Sequence, residues 1–162
     1  MGILGAKLPV LLGQIRQISP QTYIEVGCYR CDTMKEVQKL GVPTLIGFDL
    51  FEQAPPNEEP PLDGAPVTYE TAQTFGFELH KGDTNATLSV LKGRELAEPV
   101  VVFIDGGHSF TTTLNDIRQV RELQPNATLL IDDISMLGVR MAMEASGLTW
   151  EVVGLETARF TP

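Results

Sequence analysis

The sequence predicts an α/β fold in which a doubly wound, mainly parallel sheet carries helices on both faces. Residues 100–108 (VVVFIDGGH) pass from β-favouring apolar residues straight into a carboxylate, two glycines and an imidazole. A strand buried on both faces does this where it reaches the ligand-binding edge of an open sheet. The segments 23–27 (YIEVG), 44–49 (TLIGFD) and 128–133 (TLLIDD) repeat the pattern of a short apolar run closing on an acid. Helical periodicities alternate with these runs, which predicts βαβ units rather than hairpins.

Taken in order, Leu8, Leu11, Leu12, Ile15 and Ile18 recur at helical spacing and Ser19-Pro20 stops them, predicting a leading amphipathic helix over 7–17 beside the first strand. Asp32 and Thr33 are placed to cap a helix bearing Met34, Val37 and Leu40 on one face, and Gly41 and Pro43 end it before the second strand. Residues 52–66 hold five prolines, several acids and no apolar period. They predict an extended loop near the mouth of the sheet edge, either a solvated excursion or a substrate-facing flap. A short helix over 67–75, a strand over 77–80, the turn Gly82-Asp83-Thr84 and a helix bearing Leu88 and Leu91 lead to the fourth strand. Leu114, Ile117, Val120 and Leu123 mark the next helix, which Pro125 and Asn126 turn into the fifth strand. A helix over 137–145, stopped by Gly147, and a sixth strand over 150–155 leave only 156–162 for a final strand. The C-terminal hairpin is therefore expected to be short or incomplete, with an edge that a second copy of the chain could cover.

The chain has 162 residues, enough for one domain, expected to span 1–162, and its 43% hydrophobic content suffices for an ordinary core. A net charge of −9 argues against nucleic acid or an anionic membrane as partner, since binding phosphates takes clustered Lys and Arg. No run approaches the ~18 apolar residues of a membrane span and no secretory signal pattern opens the chain, so a cytoplasmic location is expected.

Over almost its whole length, and in order, the chain resembles the class I S-adenosylmethionine-dependent methyltransferases, and among them the small metal-dependent O-methyltransferases of the macrolide-sugar and catechol type. Residues 25–33 (EVGCYRCDT) are similar to the family's first motif, a glycine-bearing turn between strand and helix. Such a turn lets backbone approach a ligand closely and offers free N–H groups to a carboxylate. The resemblance implies a Rossmann-like three-layer αβα fold with S-adenosylmethionine bound by Glu25, Gly27, Cys28, Tyr29, Asp49, Leu50, Asp83, Thr84 and Asp105. Cys31 stands where the family usually has its last glycine, at a cost if its φ is positive. Asp49, 24 residues beyond Glu25, suits a carboxylate accepting from a ribose diol. The resemblance further implies that Asp105, Asp132 and Asp133 hold a divalent cation, for which oxygen ligands favour Mg²⁺, with Mn²⁺ or Ca²⁺ as substitutes. His108, three residues beyond Asp105, is the candidate general base, and Asp105 joins it as a catalytic residue through the cation. The expected reaction is direct transfer of a methyl group to an oxygen of a small hydroxylated acceptor.

Other readings of the same residues are a redox site at Cys28-Tyr29-Arg30-Cys31, a zinc site, a nicotinamide-binding dehydrogenase, and a catalytically idle binding protein with the same fold. Gly-x-Gly-x-x-Gly is absent, and only two histidines are available to complete a zinc site. His80 is expected at the end of the third strand, without a role.

Overall fold

The computed structural model describes residues 4–53 and 67–162. Its seven-stranded sheet has the order β3-β2-β1-β4-β5-β7-β6. The strands are β1 (Thr22–Val26), β2 (Thr44–Asp49), β3 (Glu78–Lys81), β4 (Val100–Ile104), β5 (Thr128–Ile131), β6 (Glu151–Val152) and β7 (Ala158–Phe160). Strands β1 to β5 pair in parallel, while β7 runs antiparallel to both β5 and β6. The chain turns from β3 back to β4 on the other side of β1, and the switch brings the C-terminal ends of β1 and β4 side by side.

Successive strand residues point to opposite faces, and the core divides accordingly. Ile24, Val26, Val102 and Ile104 face one layer with Leu114, Ile117 and Val120 of α5 (Phe110–Leu123) and Val139 and Ala142 of α6 (Leu137–Ala145). Tyr23, Val101, Phe103 and Leu130 face the other, with Leu11 and Ile15 of α1 (Leu4–Ile18), Met34 and Val37 of α2 (Asp32–Lys39), and Ala72 of α3 (Tyr69–Gln73). This is the three-layer αβα arrangement read from the sequence.

Several local expectations change. Cys31, not Asp32 or Thr33, is the N-cap of α2, and its side chain makes no capping bond. Asp32 is instead the first helical residue and pairs with Lys35 at 3.0 Å. The helix expected to bear Leu88 and Leu91 is one α-turn, α4 (Thr84–Thr87), followed by a 3₁₀ turn, Leu88–Leu91, that buries both leucines. Strand β3 begins one residue later than expected, and α3 is confined to Tyr69–Gln73 because Thr68 caps it by accepting from Thr71 N. Of the extended loop, Phe51–Gln53 form a 3₁₀ turn and residues 54–66 lie outside the described residues. The C-terminal hairpin is present but short, with β6 reduced to Glu151–Val152.

Helix α1 packs against the far end of this hairpin. Val10 fills the space left by the missing side chain of Gly154, where a Cβ would come within 2.7 Å of Val10 Cγ1. Arg159 of β7 donates to Gln14 Oε1 at 2.9 Å.

Candidate functional site

The turn after β1 is built around Gly27, whose φ of +90° and lack of a side chain let it lie on the backbone after β4. A Cβ at Gly27 would overlap the carbonyl of Asp105 and come within 2.6 Å of Gly106 Cα. Gly27 N donates to Phe48 O at 2.8 Å, tying the same turn to β2. Tyr29 (φ 43°) and Cys31 (φ 57°) also adopt the left-handed region, at roughly 1–2 kcal/mol per residue. Phe51 and Asp133 share it, so four non-glycine residues with positive φ stand at or just beyond the C-terminal ends of the parallel strands. Backbone strain of this kind gathers at functional edges.

Asp49 binds both neighbouring turns. Its Oδ2 accepts from Tyr29 N at 2.7 Å and its Oδ1 from Phe51 N at 2.6 Å, with Leu50 half-buried beside it. Glu25 lies inside the sheet, 2% exposed, where Tyr23 Oη donates to it at 2.6 Å. Burial pushes the Glu25 carboxyl well above the usual range, against the bond from Tyr23, and Asp105 adds to the rise. Asp83 caps α4 and accepts from Asn85 N at 2.8 Å, while Thr84 Oγ1 donates to Asp116 at 2.6 Å. Asp116, on α5 and 1% exposed, was not singled out by the sequence; burial raises it to about 6, against the bond from Thr84.

A second cluster forms at the ends of β4 and β5. His108 Nε2 lies 2.8 Å from Asp133 Oδ2, and Lys7 of α1 donates to Asp133 Oδ1. Lys7 Nζ is also 3.1 Å from Asp132 Oδ2, and Thr157 Oγ1 donates to Asp132 Oδ1 at 3.2 Å. Asp105, His108 and Asp133 each present a donor atom, all within 4.8 Å of one another. Asp132, 5% exposed, lies beside that trio with its oxygens taken by Lys7 and Thr157. Burial, then the charges of Asp132 and Asp133, push Asp105 up to about 8. The bond from His108 holds Asp133 down at about 2, and the same contact raises His108. Burial works to lower Lys7, but its bonds to Asp133 and Asp132 and their charges prevail and raise it. Lys7 carries no mark in the sequence, because no local motif ties a helix residue to a cluster more than a hundred positions away.

The remaining chemistry-bearing residues fall elsewhere. Cys28 and Cys31 are 2% and 0% exposed within the core layer of α1 and α2, so neither thiol stands at the surface as an attacking redox thiol does. His80 lies within β3, stacks on Phe48 with ring centroids 4.9 Å apart, and pairs with Glu78 at 2.9 Å.

A sheet of this order, with a close-approach glycine after β1, acids at the ends of β2, β4 and β5, and a closing antiparallel hairpin, defines the S-adenosylmethionine-dependent methyltransferase class. Residues 25–134 match the methyltransferase domain family, and the chain belongs to that family. CalS11, a TDP-rhamnose 3′-O-methyltransferase of calicheamicin biosynthesis, superposes with a TM-score of 0.68 at 14% identity, over 96% of this chain and 78% of that one. The O-methyltransferase TomG of Streptomyces achromogenes, solved with S-adenosylmethionine, gives 0.64 at 16% identity over 99% and 81%. CmcI, solved with Mg and S-adenosylmethionine, gives 0.58 at 17% identity over 95% and 70%. No curated protein matches the sequence. No helix among the described residues is long and apolar enough to cross a membrane.

Proposed function

We propose that this chain, acting as one domain in the cytoplasm, transfers the methyl group of S-adenosylmethionine to an oxygen of a small hydroxylated molecule, with help from a divalent cation such as Mg²⁺. The observation that carries this reading is the meeting of Asp105, His108 and Asp133 beside the Gly27 turn, which puts acids and an imidazole next to the cofactor edge. The donor set fits a hard cation: carboxylate oxygens of Asp105 and Asp133 with one imidazole beside them, and Asp132 adjacent through its Oδ2. Burial, and after it the like charges of Asp132 and Asp133, raise Asp105, and a cation would relieve that repulsion.

When bound, the cofactor supplies the sulfonium methyl and the cation supplies positive charge at the acceptor oxygen. The chain's own residues orient and deprotonate. Asp49 holds the Tyr29 and Phe51 turns and would accept from the ribose hydroxyls through its remaining lone pairs. Glu25, Gly27, Cys28 and Tyr29 would hold the methionine end of the cofactor, Asp83 and Thr84 the adenine, and Leu50 the ribose. His108 would take the acceptor proton on Nδ1, because Nε2 faces Asp133 Oδ2 at 2.8 Å and that contact orients the ring. Phe110, Met136 and Leu137 are exposed, and Gly138, next to Leu137, lies against the His108 backbone, so these side chains would offer the acceptor an apolar wall. No covalent intermediate is needed, since alignment and electrostatics suffice for direct transfer.

The test is calorimetric titration of S-adenosylmethionine and its demethylated product, with and without Mg²⁺, followed by transfer of labelled methyl to a panel of phenols and sugars. Micromolar binding with metal-stimulated labelling of a hydroxyl is expected. Binding without any turnover would identify an idle binder, and no binding would overturn the cofactor assignment.

A further inference from the structure

We propose that Lys7 is a cation built into the chain that competes with a divalent ion for the carboxylates of Asp132 and Asp133. The inference rests on the proposed cation site and is independent of the acceptor. All four oxygens of the two carboxylates already have partners. Thr157 Oγ1 takes Asp132 Oδ1 at 3.2 Å, His108 Nε2 takes Asp133 Oδ2 at 2.8 Å, and the Lys7 ammonium takes the remaining oxygen of each. A divalent ion entering beside Asp105 must displace one of these partners. Lys7 has the strongest reason to leave, because two cations sharing the same oxygens repel each other in a partly desolvated place.

The placement of Lys7 is supported independently of the cluster. Leu11 and Ile15 are buried, Val10 packs on Gly154, and Gln14 accepts from Arg159, so the two turns of α1 that follow Lys7 are fixed against the core and the C-terminal hairpin. The helix therefore delivers the ammonium to the carboxylates whether or not an ion is near. The unbranched stem has rotatable bonds enough to swing the head toward water while the helix stays in place; the side chain is already 19% exposed. Lys7 thus sets the affinity of the site for metal, holding the empty cluster neutralised and admitting an ion only as it withdraws.

The experiment is Mn²⁺ binding, read by electron paramagnetic resonance of free Mn²⁺ at constant ionic strength, for the wild-type chain, Lys7→Met and Lys7→Arg. Lys7→Met keeps an unbranched apolar stem and removes the charge, and should bind Mn²⁺ at least about tenfold tighter, while Lys7→Arg should bind no tighter than wild type. Lys7→Gln serves in the same way should Lys7→Met fail to fold, as judged by circular dichroism. Wild-type binding with equal or weaker binding by the neutral variants would overturn the role of Lys7 and leave the cation site standing. No binding by any of the proteins would overturn the cation site and the competition together.

Discussion

Gly138, the second residue of α6, stands directly against the backbone of His108: a side-chain carbon on it would overlap the His108 carbonyl oxygen and lie 2.9 Å from Phe110 N. The start of α6 and the imidazole loop can therefore meet only through a glycine. Gly138→Ala should push the two apart, lowering stability by about 1–3 kcal/mol and slowing methyl transfer, with cofactor affinity nearly unchanged. Urea unfolding and calorimetry on one preparation check this; unchanged turnover would show that the contact does not position His108.

Asp49 and Asp105 should separate cofactor binding from cation use. Asp49→Ala should weaken S-adenosylmethionine by ~1.5–3 kcal/mol, since a charged acceptor is lost. Asp105→Asn should instead abolish metal-stimulated turnover and leave cofactor binding almost intact. Calorimetry paired with turnover at varied Mg²⁺ distinguishes the two, and loss of cofactor binding alone in Asp105→Asn would count against its place in the cation site.

Thr157 is 2% exposed and donates to the buried carboxylate of Asp132. Thr157→Val keeps the shape and removes the donor, which should cost about 1–3 kcal/mol. The midpoint of urea unfolding reports it, and a neutral result would mean that Lys7 alone satisfies Asp132.

Asp116 predicts a pH dependence. Its folded value of about 6 is above the ~3.9 of an unfolded chain, so between these values the folded state holds more protons and stability falls as pH rises. Above about pH 6 the loss is complete. Asp116→Asn cannot ionise yet can still accept from Thr84, so it should remove this part of the slope and be more stable than wild type by up to roughly 2 kcal/mol near neutral pH. Urea midpoints across this range give the comparison, and parallel curves for the two proteins would refute the assignment.

The parallel strands and their acids were legible because a strand covered on both faces has to be apolar throughout and can change character only at its end, as at Ile104-Asp105 and Ile131-Asp132. Glu25, Gly27, Asp49 and Asp105 stand out for this reason. Turn geometry was less legible: cap preference favours Asp32, yet Cys31 takes the cap with a left-handed φ, in a turn that Gly27 ties to β2 and to the backbone after β4. Lys7 and Asp116 were invisible because each reads as an ordinary polar residue of an amphipathic helix. Their partners, Asp132 and Asp133 for the one and Thr84 for the other, come from distant segments joined only by the fold.

The bond between Lys7 and Asp133 spans 126 positions. Closing so long a loop brings little reward until the intervening strands are in register, so this contact belongs to the last stage of folding. A chain emerging from the ribosome would expose Lys7 long before Asp132, Asp133 or Thr157 had been synthesised, and the half-built sheet would have no charged cluster at its edge. Assembly of the cluster therefore reports that α1 and the C-terminal hairpin have both docked, and slow recovery of Mn²⁺ binding after rapid recovery of helical signal would be its kinetic mark.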